Sequence, residues 1–166
     1  MSTDAWNPKQ YDKFKAERSQ PFFDLMALLQ PSDQGQIIDL GCGTGELTAE
    51  LHSHLKSKNT LGMDSSEEML KKATAFTTQG LDFRKDNIET WNSPRTFDII
   101  FSNAALQWCS NHPELFQRRG QLAVQMPMNH DYPTHVAEFR ERLFEKLPDD
   151  KPFFYPFKRI LIWGRL

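Results

Sequence analysis

The stretch Ile37-Ile38-Asp39-Leu40-Gly41-Cys42-Gly43-Thr44-Gly45 constrains this chain more than any other. A short apolar strand runs directly into three glycines at alternate positions, and a helical pattern follows from Glu46. Such a backbone turns sharply and lies against a ligand with no side chain in the way. The helix that opens after Gly45 directs its free N–H groups and the positive end of its dipole at whatever the loop holds. A nucleotide-like ligand carrying a carboxylate or phosphate fits that arrangement.

The spacing separates two cofactor classes. A dinucleotide loop reads G-x-G-x-x-G. Here it is G-x-G-x-G, and Asp39 stands two residues before the first glycine. A carboxylate at that point can accept a hydrogen bond from a ligand ammonium, a group that a pyrophosphate does not offer. The alternative is a glycine-rich turn between strand and helix with no ligand.

Length and composition narrow the rest. A chain of 166 residues predicts one domain. Hydrophobic residues make up 39%, and 13 Phe with 4 Trp supply bulky core filling. The formal net charge is −2 and no Lys/Arg run exceeds two residues, which speaks against a nucleic acid partner. The two cysteines, Cys42 and Cys109, make neither a disulfide framework nor a metal cluster, so a reducing, cytoplasmic setting is expected. No apolar run approaches the roughly 20 residues that span a bilayer. Asp4, Asn7 and Lys9 interrupt any signal-peptide pattern.

Taken in order, Asn7-Pro8 predicts a helix start, and Gln20-Pro21 predicts a break and restart. After it Phe22, Leu25, Met26 and Leu29 form an apolar face at helical spacing. Residues 1–30 are either a helical flap packed on the core or a lid whose Tyr11 and Arg18 reach the ligand. A helix is expected from about Glu46 to Lys56, with Leu47, Leu51 and Leu55 inward and His52 and His54 on the surface. The second strand, Thr60 to Met63, ends in Asp64, 19 residues after Gly45, where a carboxylate can take both hydroxyls of an adenosine ribose. Ser65 or Ser66 then caps a helix that is expected to turn Met69, Ala73 and Phe76 inward, with Met69 also a fair adenine neighbour.

The third strand, Leu81 to Arg84, leads to Asp86-Asn87-Ile88, either an adenine clamp or ordinary turn chemistry. The fourth, Phe97 to Ser102, ends in Asn103-Ala104-Ala105-Leu106-Gln107-Trp108. Small residues there leave room for a transferable group, and Gln107 and Trp108 offer donors and a flat wall to a substrate; alternatively Trp108 packs under the lid. A short helix over 114–118, a strand Gln121 to Met126, a helix with Val136, Phe139, Leu143 and Leu147 on one face, and a closing strand within 153–164 complete the expected order. The resulting class is α/β, a Rossmann-like, mostly parallel sheet with helices on both faces and an antiparallel last strand.

Asp39 to Gly45 resembles motif I of the class I S-adenosylmethionine methyltransferases. Together with Trp6-Asn7-Pro8, Tyr11, Phe14, Glu17-Arg18-Ser19, Gly62-Met63-Asp64-Ser65-Ser66, Met69, Ser102 to Trp108 and Leu122 to Pro127, it makes the chain similar to the trans-aconitate 2-methyltransferases over nearly its whole length. The resemblance implies transfer of the methyl group of S-adenosylmethionine to a carboxylate of a small organic acid. It implies that Asp39, Gly41, Cys42, Gly43 and Gly45 hold the methionine part, that Asp64 and Ser65 hold the ribose, and that Met69, Asp86, Asn87 and Ile88 hold the adenine. Asn103, Ala104 and Trp108 border the methyl group, and Tyr11 and Arg18 close over the cofactor. An ionised carboxylate needs no general base, so no catalytic acid, base or metal is expected, and positioning carries the rate.

The same resemblance implies a longer protein. Several tens of residues expected after about residue 136, a substrate cap and a sixth strand among them, are either deleted or missing from this sequence only. Other readings are a carrier-protein or other small-acid methyltransferase, a cofactor-binding module without activity, and a nicotinamide oxidoreductase, against which the glycine spacing argues. A monomer is expected.

Overall fold

A computed structural model describes residues 15–30, 34–93, 95–109, 121–127 and 159–165. The expected helices over 114–118 and around 136–147, the helix start at Asn7-Pro8, and Tyr11 lie outside them.

The elements are α1 (Lys15–Met26), β1 (Gln36–Leu40), α2 (Glu46–His54), β2 (Asn59–Asp64), α3 (Glu67–Ala73), β3 (Leu81–Lys85), β4 (Ile99–Asn103), β5 (Gln121–Pro127) and β6 (Arg159–Arg165). They form one six-stranded sheet in the order β3-β2-β1-β4-β5-β6. Strands β1 to β5 pair in parallel, and β6 pairs antiparallel with β5, Val124 opposite Ile162. After β3 the chain returns past β1 to lay β4 on its other side, which puts the topological switch point between β1 and β4. In such sheets ligands bind outside the carboxyl ends of the strands at that point.

The central strands β1 and β4 are buried along nearly their whole length because both sheet faces are covered there. Side chains alternate along them. Ile37, Ile99, Phe101 and Ala123 pack with Phe22, Leu25 and Met26 of α1 and Leu51 of α2 on one face. Ile38, Leu40, Ile100, Leu122 and Val124 pack with Trp91, Phe97 and Leu106 on the other. The Phe22 ring meets Phe101 at a centroid distance of 4.7 Å.

Three local expectations are corrected. First, α1 runs through Pro21 without a break. Proline forfeits one helical N–H, but Phe22, Leu25 and Met26 are buried on the sheet, and Gln20 Nε2 reaches across the proline to Asp24 Oδ1 at 2.8 Å. Second, α3 turns Leu70 inward beside Ala73, while Met69 is 42% exposed and Phe76 half-buried. Third, His54 is exposed but His52 is half-buried, its Nδ1 2.9 Å from Thr60 Oγ1 and 2.8 Å from Ser57 Oγ. That network ties the end of α2 to the start of β2. Helix α2 stops before Lys56, whose φ of +48° is left-handed.

Candidate functional site

The carboxyl ends of β1, β2, β3 and β4 open on one cleft of about 480 Å³. Gly41 and Gly43 come from the loop after β1, Asp64 and Ser65 from the end of β2, Asp86, Asn87 and Ile88 from the end of β3, and Ala104 and Trp108 from the end of β4. Met69, on α3, also lines it. A larger cavity, of about 640 Å³, opens at the other end of β1 to β3 among residues such as Asn59, Thr78 and Asp82, away from the glycine loop.

The three loop glycines do different work. All have positive φ, +85° at Gly41, +55° at Gly43 and +77° at Gly45, which strains any L side chain. At Gly41 a Cβ would stand 2.3 Å from the Ala105 methyl, and at Gly45 it would stand 2.7 Å from the Ala73 methyl. These two are glycine so that neighbouring elements can close on the loop. At Gly43 a Cβ would meet nothing within 4 Å. Gly43 also lines the cleft, so the space above it is free for a ligand. The loop is held from below, since the Gly41 and Cys42 N–H groups both donate to Met63 O, at 2.8 and 2.9 Å.

Asp64 ties the loop to the second strand end. Its Oδ2 accepts from Gly43 N and its Oδ1 from Ser66 N, both at 2.9 Å. Each oxygen keeps a lone pair for a further donor such as a ribose hydroxyl. Ser66, rather than Ser65, caps α3 by accepting from Met69 N. Asp86 is paired with Arg84 at 2.8 Å, and its other oxygen accepts from Asn87 N at 2.9 Å. Asn87 Oδ1 accepts from Glu89 N, so the Asp86-Asn87 turn is already ordered locally.

Asp39 sits beneath the cleft rather than on its wall. It is 2% exposed, and Thr48 Oγ1 donates to its Oδ2 at 2.6 Å. Burial pushes its carboxyl up to about 7, with Asp64 adding to the rise and the Thr48 bond opposing it. Cys42 packs with Leu70 and Ala73 below the loop, and burial, then Asp39 and Asp64, push its thiol up. Gly45 and the half-buried Asn103 are likewise absent from the described lining. The side chain of Arg18 lies outside the described residues.

The lining includes residues to which the sequence assigns no cofactor contact: Ser66, Glu89, Ala105 and Cys109. The Cys109 thiol, 6% exposed, is pushed up to about 11 by burial and then by Glu89, so it stays protonated. Gln107 does not face a substrate. It is 4% exposed and gives its Nε2 to Ala104 O at 2.7 Å. Trp108 is 74% exposed and lines the cleft wall. Thr48 left no signal, because its meeting with Asp39 depends on how α2 folds back over β1.

The chemistry of this lining suits a cationic nucleoside. Asp64, Asp86 and Glu89 are acidic, no Lys or Arg lines the described cleft, and Met69, Ile88 and Trp108 offer apolar surface to a flat base. S-adenosylmethionine, with an adenosine, a sulfonium and an ammonium, fits these residues. Among the described residues no group of three or more His, Cys, Asp and Glu could hold a metal ion, and no helix is long and apolar enough to cross a membrane.

The family model described as a methyltransferase domain matches residues 37–122, from β1 into β5. The chain belongs to the methyltransferase domain family. The matched part carries the glycine loop and all four strand ends of the cleft. The chain is 45% identical over 137 residues to the trans-aconitate 2-methyltransferase of Deinococcus radiodurans, covering 78% of this chain and 52% of that protein. It is 40% identical over 153 residues to the protein of that name from Escherichia coli O1:K1 / APEC, covering 88% and 60%. The chain thus spans between half and two thirds of the length of these curated relatives.

Among solved structures, an S-adenosylmethionine dependent methyltransferase from Mesorhizobium loti matches with a TM-score of 0.59 and 27% identity, over 67% of this chain and 54% of that one. A chain of the complex between the Haloferax volcanii Trm112 methyltransferase activator and the putative methyltransferase matches with a TM-score of 0.72 over 98% of this chain and 96% of that one. At 18% identity the latter shows the fold alone.

Proposed function

We propose that this methyltransferase domain binds S-adenosylmethionine in the cleft and serves methyl transfer to a carboxylate of a small organic acid of the trans-aconitate type. One observation carries the cofactor half. Four consecutive strand ends converge on one cleft, in which the glycine with free space above it, Gly43, is bonded to the carboxylate of Asp64. The relatives' shared name supports the acceptor class.

In this reading Gly41 and Gly43 hold the methionine part, above the Asp39 carboxyl. The free lone pairs of Asp64 take the ribose hydroxyls, with Ser65 beside them. Met69 and Ile88 pack on the adenine, and Asp86 and Asn87 border its edge. Ala104 and Trp108 wall the side where the acceptor enters. When bound, S-adenosylmethionine would supply a methyl group on a sulfonium sulfur, transferable to a carboxylate oxygen with a neutral thioether as the leaving group. The acceptor is already ionised at neutral pH, so no residue has to remove a proton. What the chain supplies is position, where effective molarities of about 10⁵ M or more are available.

The described lining carries no cation to grip an anionic acid. A single domain, a monomer and a cytoplasmic setting complete the reading, the last supported by two unbridged buried thiols. Incubation with methyl-labelled S-adenosylmethionine and a panel of small di- and tricarboxylic acids, trans-aconitate first, tests the proposal. Label in an ester product supports it. Cofactor binding without transfer to any acid would instead favour a binding module.

A further inference from the structure

The corner that follows β4 is strained and held from two sides. Ala104 has a φ of +56°, a left-handed conformation that costs an L residue energy, and no other described non-glycine residue of the cleft lining shares it. Its N–H donates to Gln125 O at 2.8 Å, and its carbonyl accepts from Gln107 Nε2 at 2.7 Å. Both glutamines are buried, Gln107 at 4% exposure and Gln125 at 2%.

The corner decides where the next residues go. With Ala104 left-handed, the Ala105 methyl fills the space that a Gly41 side chain would need, so a Cβ on Gly41 would come within 2.3 Å of it. The short turn Leu106–Trp108 then sets the exposed Trp108 on the cleft wall. The acceptor-side corner is thereby seated in the cofactor loop.

We propose that Gln107 is a positioning residue, whose side-chain amide holds Ala104 in its left-handed conformation and so keeps Ala105 against Gly41 and Trp108 on the cleft wall. The inference rests on the reading of this cleft as the cofactor site, and it gives the cofactor loop and the acceptor-side turn one shared geometry.

Gln107→Met keeps the volume and removes the donor. Ala104→Gly removes the strain that needs holding. Two readouts serve: calorimetric affinity for S-adenosylhomocysteine, and exchange of the Ala104 amide proton in ligand-free protein. Gln107→Met is expected to speed that exchange and weaken the affinity, each by at least about fivefold, the scale of one lost hydrogen bond. Adding Ala104→Gly is expected to slow the exchange at position 104 again by at least about threefold relative to Gln107→Met, because glycine takes the corner unaided; affinity is compared only between Gln107→Met and wild type, since Ala104 itself lines the cleft. If Gln107→Met does not fold alone, the double variant is expected to fold. Unchanged exchange in Gln107→Met, or no rescue by Ala104→Gly, overturns the proposal and leaves Gln107 as core filling. Wild-type protein that fails to bind S-adenosylhomocysteine overturns the cofactor reading instead, while the exchange arm still reports on the corner.

Discussion

Thr48 Oγ1 lies 2.6 Å from Asp39 Oδ2, and this is the one hydrogen bond that the buried carboxyl makes among the described residues. Helix α2 therefore reaches back to orient the acid of β1 under the glycine loop. The carboxyl has lost its water and gained a single hydroxyl.

That balance has a sign. Folding raises the Asp39 carboxyl from its ordinary 3.8 to about 7, so between these values the folded state binds the extra proton. The contribution to stability is full below about pH 4 and is lost as pH rises through 7. Asp39→Asn keeps an acceptor for Thr48 and removes the charge. It is expected to be more stable than wild type at pH 8 by more than about 1 kcal/mol, with the difference shrinking toward pH 5. Paired thermal melts across that range check it, since all other titrating groups are common to the two proteins. The same variant is expected to bind S-adenosylmethionine more weakly, having lost the anion near the ammonium.

The glycines separate folding from binding. Gly43→Ala meets open space and bears only backbone strain, about 1–2 kcal/mol. It is expected to fold, yet to weaken S-adenosylhomocysteine binding more than tenfold, because its methyl enters the cleft. Gly41→Ala adds a clash with Ala105 to the same strain. Its melting temperature is expected to fall further than that of Gly43→Ala. Reversal of that order would show that Gly43, and not Gly41, carries the packing.

Asp64→Ala removes the acceptor for Gly43 N and Ser66 N together with the proposed ribose anchor. A lost charged hydrogen bond is worth about 1.5–3 kcal/mol, so affinity for S-adenosylhomocysteine is expected to drop at least tenfold. Unchanged affinity in a titration would remove Asp64 from the site.

At the other end of the sheet, Thr60→Val takes one hydroxyl from the buried network with Ser57 and His52. A cost of about 1–2 kcal/mol is expected in denaturant unfolding, since two polar partners lose a bond. Burial lowers the His52 imidazole below its ordinary 6.5. The unfolded chain then binds more protons on the acid side, so this contribution is present above about pH 6.5 and is lost as pH falls. His52→Asn is expected to flatten that acid-side loss in urea titrations at pH 5 and 7.

The sequence made the strand ends legible because a carboxylate or amide after an apolar run marks where a parallel strand leaves the core. Asp64 and Asp86 stand out in that way, Gly41 and Gly43 by their alternate spacing, and Ala104 as a small residue after the fourth apolar run. It could not show that Asp39 points below the cleft, or that Gln107 turns inward, because each depends on a partner brought close only by folding: Thr48 and the Ala104 carbonyl. Helix faces failed for the same reason. The spacing of Met69, Ala73 and Phe76 is helical, but the side of α3 that meets Cys42 and Phe83 is the one bearing Leu70. Pro21 misled because local propensity was outweighed by the burial of Phe22 and Leu25 on the sheet.

The most direct measurement is a calorimetric titration of wild-type protein, shown to be folded by its thermal transition, with S-adenosylhomocysteine alongside NADH. One-to-one saturable binding of S-adenosylhomocysteine, lost in Gly43→Ala and absent for NADH, is the expected result. A folded protein that gives no binding heat with S-adenosylhomocysteine at any temperature tried, or that binds NADH instead, would contradict the assignment of the cleft.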